Sequence, residues 1–219
     1  MTRNLNSARM GAAYGKATSM VVFVHGYGAN GDDLMGLSDP LAPHLPGTVF
    51  YSPDAPEPCN GAPMGRQWFP IPWIDGSSEA VARAGLLAAA DDLNAFLDTK
   101  LAEEGLTPAA LVLVGFSQGA MISLHVAPRR SPAMAGLVAI SGRLLAPELL
   151  GEAVVKPPVM LIHGDQDPVV PFADMGLAGD ALVTAGFEVF GHVMKGTAHG
   201  IAPDGLQATL AFLNDRLPK

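Results

Sequence analysis

The chain has 219 residues, 49% of them hydrophobic and 16% charged, which is enough to bury a sheet on both faces within one domain. Its formal net charge of −8 repels a phosphate backbone, and no Lys/Arg cluster reverses that locally, so nucleic acid is excluded as an expected partner. A lone cysteine, Cys59, excludes an internal disulfide and a thiolate metal site, and suits a reducing, cytoplasmic setting.

From the N-terminus, residues 1–19 carry Arg3, Arg9 and Lys16 without the continuous apolar core of a secretory signal, and read as an arm of no assignable structure. Short apolar runs follow: MVVFVHG (20–26), TVFYS (48–52), ALVLVG (110–115), GLVAIS (136–141), VMLIHG (159–164) and FEVFGHVM (187–194). Continuous Val, Ile and Leu runs of this length predict parallel strands buried on both faces. The clearest helix spans 78–104, where Leu86, Ala90, Leu93, Leu97 and Leu101 form one apolar stripe, and Gly105 and Pro108 end it. Further helices are expected at about 118–127, 172–185 and 203–216, and the alternation predicts a doubly wound α/β layout in a single domain. No run reaches the roughly 18 apolar residues of a membrane span, so a soluble chain is expected. The stretch 53–77 holds six prolines, three glycines and both tryptophans. It reads as a stiff surface loop, and long loops in compact domains are often functional.

GFSQG (115–119) fits GxSxG, in which a strand turns sharply into a helix and exposes a serine, here Ser117. ALVLV before it reads as a buried strand and AMISLHV after it as a helix, which is the context the motif requires. A serine hydroxyl needs a base, and the base needs a partner that fixes its tautomer. HGDQDPVVP (163–171) follows a predicted strand and offers Asp165 and Asp167; GTAHGI (196–201) follows the next and offers His199. Asp167 is preferred, because Asp165 directly follows HisGly and is placed to cap the turn. Of the other histidines, His44 and His125 precede the acid away from the site edge, and His192 lies within a strand. His25 and His163 each end a strand before glycine, which suits them to support the site. The oxyanion of acyl transfer needs fixed backbone donors, expected from the amides of Gln118 and of Tyr27 in HGYG (25–28).

The motifs HGYGANGDDL, GFSQGAM, HGDQDPVVP and GTAHGI, in that order from residue 20 to about 216, resemble the phospholipase/carboxylesterase family of small serine hydrolases, which includes bacterial carboxylesterases and acyl-protein thioesterases. The resemblance implies an α/β-hydrolase fold: a mostly parallel sheet with helices on both faces and no large cap domain. It assigns the nucleophile to Ser117, the acid to Asp167, the base to His199 and the oxyanion amides to Tyr27 and Gln118, without cofactor or metal. The implied substrates are small esters or thioesters, with short- to medium-chain carboxylic esters favoured over acyl-protein thioesters or lysophospholipids. Met64, Trp68, Phe69, Trp73 and Ile74 of the 53–77 loop are expected to wall the acyl pocket, together with Val169 beside the acid. Monomer and homodimer remain open.

A rival reading comes from GYGANG (26–31), which satisfies GxGxxG after a strand, with Asp54 at a Rossmann-like distance. Against this dinucleotide-binding oxidoreductase, Gly36, Pro40, Pro43 and Pro46 interrupt the helix that should follow. A binding protein with an unused triad is the second rival. A metal enzyme is disfavoured because no HExxH or paired-cysteine spacing is present.

Overall fold

The computed structural model describes residues 2–59 and 62–218. In chain order its strands are β1 (Ser7–Gly11), β2 (Ser19–Val24), β3 (Thr48–Pro53), the two-residue pair β4 (Glu57–Pro58) and β5 (Arg66–Gln67), β6 (Leu111–Phe116), β7 (Gly136–Ile140), β8 (Val159–Gly164) and β9 (Val189–Met194). Seven of them form one sheet in the order β1-β3-β2-β6-β7-β8-β9. All neighbours run parallel except β1, which is antiparallel to β3. The longer helices are α4 (Glu79–Glu104), α5 (Gln118–Val126), α6 (Ala173–Thr184) and α7 (Pro203–Arg216); α1 (Gly31–Met35), α2 (Ser38–Leu41) and α3 (Pro72–Asp75) are single turns. No described helix is long and apolar enough to cross a membrane.

Alternate strand residues feed two cores, because successive side chains leave a strand on opposite faces. Met20, Val22, Val24, Leu111, Leu113 and Leu137 pack with α4, α5 and α6. Val21, Phe23, Val112, Val114, Val138 and Ile140 pack with α1 and α7 on the other face. The α4 stripe buries Leu86, Ala90, Leu93, Leu97 and Leu101, as its spacing predicts. Ser78 caps its start by accepting from the Val81 amide, and Gly105 ends it at φ 68°, a left-handed position that glycine occupies without steric cost.

The N-terminal arm corrects one expectation, since residues 7–11 form the edge strand β1. Its sequence, SARMG, has no apolar run, and side-chain ion pairs fix it instead. Arg9 Nε and a second guanidinium nitrogen donate to the two carboxylate oxygens of Glu104 at 2.8 and 3.1 Å, and Tyr51 Oη donates to the same carboxylate at 2.6 Å. Arg3 adds a 2.7 Å pair with Asp92. The Glu104 side chain is fully buried, so Arg9→Leu strands a carboxylate without its cation. This substitution is expected to cost about 3 kcal/mol in urea unfolding; an unchanged midpoint would show that β1 is held by its ladder alone.

Candidate active site

β6 ends at Phe116 and α5 begins at Gln118, so Ser117 alone makes the turn between them. Its backbone sits at φ 53°, ψ −118°, a sparsely populated region that costs a non-glycine residue on the order of 1–3 kcal/mol and persists only where the surroundings enforce it. The enforcement is visible. The Ser117 amide donates to the Ile140 carbonyl of β7 at 2.9 Å, and its carbonyl accepts from the Met121 amide at 3.1 Å. A side chain at Gly119 would collide with the Val24 carbonyl of β2, and one at Gly115 would lie 2.5 Å from the Gly119 carbonyl. The two glycines of GFSQG therefore let helix, turn and strand meet.

Three strand ends bring the polar groups together at the C-terminal edge of the sheet, where open α/β sheets place their sites. His199, in the loop after β9, directs Nε2 to Ser117 Oγ at 3.0 Å. Its Nδ1 meets Asp167 Oδ2, in the loop after β8, at 2.7 Å. The other oxygen, Oδ1, accepts from the amides of Val169 and Val170 at 2.8 and 2.9 Å. Burial by itself would raise the Asp167 pKa, but the hydrogen bonds from His199, Val170 and Val169 outweigh it and hold the carboxyl below its usual value. An ionised acid at Nδ1 leaves Nε2 free to take a proton, which is the arrangement that turns a serine hydroxyl into a nucleophile.

Asp165 does not reach this chain: it accepts from the Gly196 amide at 2.7 Å and lies 3.6 Å from Lys195 Nζ. His163 is buried behind the acid, with Nε2 3.0 Å from the Val170 carbonyl and 3.4 Å from Asp167 Oδ2. His192 pairs with Asp204 on the surface. Phe116 packs its ring 4.9 Å from that of His199.

Facing the serine is the HGYG turn after β2. Among the described residues, no backbone or side-chain acceptor takes the amide of Tyr27 or of Gln118. Gln118 stands at the first position of α5, where an amide has no partner within the helix. Sequence reasoning used only the Gln118 amide, yet its side chain also works as a clamp. Its carbonyl oxygen accepts from the Trp68 amide at 2.9 Å, and its amide nitrogen donates to the Phe69 carbonyl at 2.7 Å. Trp68 Nε1 in turn donates to the His25 carbonyl at 2.9 Å. The His25 ring closes the network, with Nδ1 2.7 Å from the Gly26 carbonyl and Nε2 accepting from the Ala55 amide. Burial lowers the His25 pKa, which keeps the ring neutral and able to accept. The Tyr27 hydroxyl is pushed up to about 12, first by a hydrogen bond with the Cys59 side chain.

The expected pocket residues separate into three groups. Trp68 is completely buried, so it anchors the 53–77 loop to the serine turn and offers no surface to a substrate; the pocket-wall role expected of it is corrected. Phe69 and Trp73 line a cavity of about 610 Å³ between the loop, α4, α5 and residues 145–152. Met64, Ile74 and Val169 form the third group, all exposed, with Met64 apart from the cavity in a hollow with Asn30 and Arg66. One residue escaped sequence reasoning: Arg143, just past β7, pairs with Asp174 of α6 at 2.7 Å and stacks 5.4 Å from the Trp73 ring. Its position after a strand end is the only signal that points to it.

The GYGANG segment does not form a dinucleotide cradle. Gly31 opens a helix of only five residues, and its amide donates to the Asp54 carboxylate at 2.9 Å. An acid therefore occupies the helix end where a pyrophosphate would have to sit.

The model of the Phospholipase/Carboxylesterase family matches residues 5–217. Among solved structures, esterase PE8 superposes with a TM-score of 0.91 at 40% identity, covering 98% of this chain and all of that one. Esterase YpfH of Escherichia coli K12 is 30% identical over 93% of this chain and 85% of its own length. Acyl-protein thioesterase 1 of Saccharomyces cerevisiae is 29% identical over 97% and 99%. With the whole sheet, the serine turn and the surrounding motifs inside the matched span, the chain belongs to the phospholipase/carboxylesterase family and is a carboxylic ester hydrolase of the α/β-hydrolase fold.

Proposed function

We propose that this protein is a serine carboxylesterase that cleaves short- to medium-chain carboxylic esters through an acyl-enzyme on Ser117. The observation that carries the reading is the unbroken hydrogen-bonded chain from Ser117 Oγ through His199 to Asp167, at 3.0 and 2.7 Å. Ser117 Oγ attacks the ester carbonyl carbon while His199 Nε2 takes its proton. The amides of Tyr27 and Gln118 receive the negative charge that develops on the carbonyl oxygen. As the tetrahedral intermediate collapses, His199 returns the proton to the departing alcohol, and the acyl group stays on the serine. Water, deprotonated by the same imidazole, then releases the acid and regenerates the hydroxyl. Phe69 and Trp73 wall the acyl site, with Ile74 and Val169 at its rim, and Met64 has no part in it.

Thioester cleavage is the second reading, favoured by the acyl-protein thioesterase among the relatives; the same machinery serves both leaving groups. A panel of nitrophenyl esters, acyl-CoAs and lysophospholipids graded by chain length tests the choice. Nitrophenyl acetate to octanoate should give the highest kcat/KM, and a peak on acyl-CoAs or lysophospholipids would replace the ester reading. Acidity supplies a second check. The Asp167 carboxyl, held below its usual value, stays ionised in mild acid, so a fall of activity there reports the catalytic base rather than the acid. Expected is a kcat/KM that rises with pH and levels off; a flat profile between about pH 5 and 8 with chemistry rate-limiting contradicts a histidine base.

A further inference from the structure

Behind Asp167 the polar chain continues into the sheet. His163 is the last residue but one of β8, a strand paired on both sides, and it is only 1% exposed. The reaction steps above leave it without a part. Its Nε2 lies 3.0 Å from the Val170 carbonyl oxygen; a carbonyl only accepts, so Nε2 carries the hydrogen and donates it. Val170 gives its own amide to Asp167 Oδ1, and Oδ2 of the same carboxylate holds His199 Nδ1 at 2.7 Å. One line of hydrogen bonds therefore runs from a strand of the sheet through Val170 and Asp167 to His199 and Ser117.

The segment beside the acid depends on that line. Residues 168–171 read ProValValPro, and the prolines have no backbone N–H. The two amides that remain, of Val169 and Val170, are both spent on Asp167 Oδ1 at 2.8 and 2.9 Å. Among the described residues no backbone–backbone hydrogen bond holds positions 168–170. Apart from the carboxylate itself, the directional tie of this segment to the sheet is the bond from His163. The Val170 side chain is buried in the core, but apolar burial is non-directional and does not fix how the peptide is turned. Nor is the contribution of His163 mainly one of charge. Its Nε2 stands 3.4 Å from Asp167 Oδ2, too far for a strong hydrogen bond. Burial raises the Asp167 pKa, and the bonds that lower it come from His199, Val170 and Val169.

We propose that His163 is a positioning residue: by holding the Val170 carbonyl it sets the orientation of the Asp167 carboxylate, and through it that of His199 toward Ser117. The proposal rests on the reading of Ser117, His199 and Asp167 as a hydrolytic unit, and extends that unit to a residue that touches no reacting atom.

The test follows nitrophenyl acetate hydrolysis and fluorophosphonate labelling, in which Ser117 Oγ displaces fluoride, in the wild type, His163→Phe and His163→Gln. Phenylalanine keeps a ring but donates nothing, whereas the glutamine amide places an N–H near the position of Nε2. In His163→Phe kcat should fall about 10- to 100-fold, the scale of a displacement of roughly 1 Å in a reacting group, while KM stays within about twofold of wild type. The labelling rate should fall by the same factor, and His163→Gln should recover most of both rates. Should the phenylalanine variant fail to fold, His163→Asn takes its place, because its shorter amide stops short of the Val170 carbonyl. A lowered Tm with wild-type kcat and labelling rate makes His163 a packing residue and overturns the proposal. So does a loss of rate that glutamine leaves unrepaired, or failure of both donor-free variants to fold. In each of these outcomes a wild type that hydrolyses the ester keeps the hydrolytic reading intact. A wild type that neither hydrolyses nitrophenyl acetate nor takes the label overturns both.

Discussion

Replacing Ser117 or His199 by alanine is expected to lower kcat by about four to six orders of magnitude while leaving a folded protein. The two residues act as one unit, so the double variant should be little worse than either single one. Asp167→Asn, which keeps the shape but presents the wrong hydrogen-bonding face to His199 Nδ1, should cost roughly 10⁴-fold. The control is built into the same loop. Asp165 accepts from the Gly196 amide and touches neither His199 nor Ser117, so Asp165→Ala should stay within about tenfold of wild type. Steady-state kinetics with nitrophenyl butyrate, alongside circular dichroism to verify folding, measures all five variants. An Asp165→Ala variant as damaged as Asp167→Asn, with its fold intact, would remove the assignment of the acid.

The largest stability effect is expected at Trp68. Its side chain is wholly buried, its indole N–H is committed to the His25 carbonyl, and its backbone amide is held by Gln118. Trp68→Ala deletes the indole, leaves a cavity and orphans an acceptor, at a cost of about 3–5 kcal/mol. For a chain of this size that corresponds to a Tm fall on the order of 10 °C. Trp73, 59% exposed, should behave in the opposite way: Trp73→Ala is expected to leave Tm almost unchanged and to lower kcat/KM for octanoate more than for acetate, because it removes apolar contact from the cavity wall. Thermal unfolding and a chain-length series on both variants separate the two roles. A Trp68→Ala protein of unchanged Tm, or a Trp73→Ala protein with a parallel chain-length profile, contradicts the division.

Those two tryptophans show where sequence reading stops. Both lie in one proline-rich stretch, and composition alone gives them the same role; only the Gln118 clamp, 50 residues away in sequence, tells the anchor from the exposed wall. The central strands were legible because strands buried on both faces need unbroken apolar runs, as β2, β6 and β7 have. The polar chain of Ser117, Asp167 and His199 was legible because each follows a strand end in a motif whose glycines or turn residues have a steric purpose. β1 was hidden for the converse reason: its strand is fixed by the pairing of Arg9 with Glu104, 95 residues apart, and no local pattern announces a partner so distant. Arg143 was hidden likewise, since its pairing with Asp174 depends on which loops the sheet order brings together.

The central claim is that Ser117 is an activated nucleophile, and covalent labelling tests it most directly. Treatment with a fluorophosphonate, followed by intact-mass and peptide mass spectrometry, should give a single adduct on Ser117, absent in Ser117→Ala and strongly slowed in His199→Ala. An adduct on another residue, or full esterase activity in a protein whose Ser117 stays unlabelled, would contradict it.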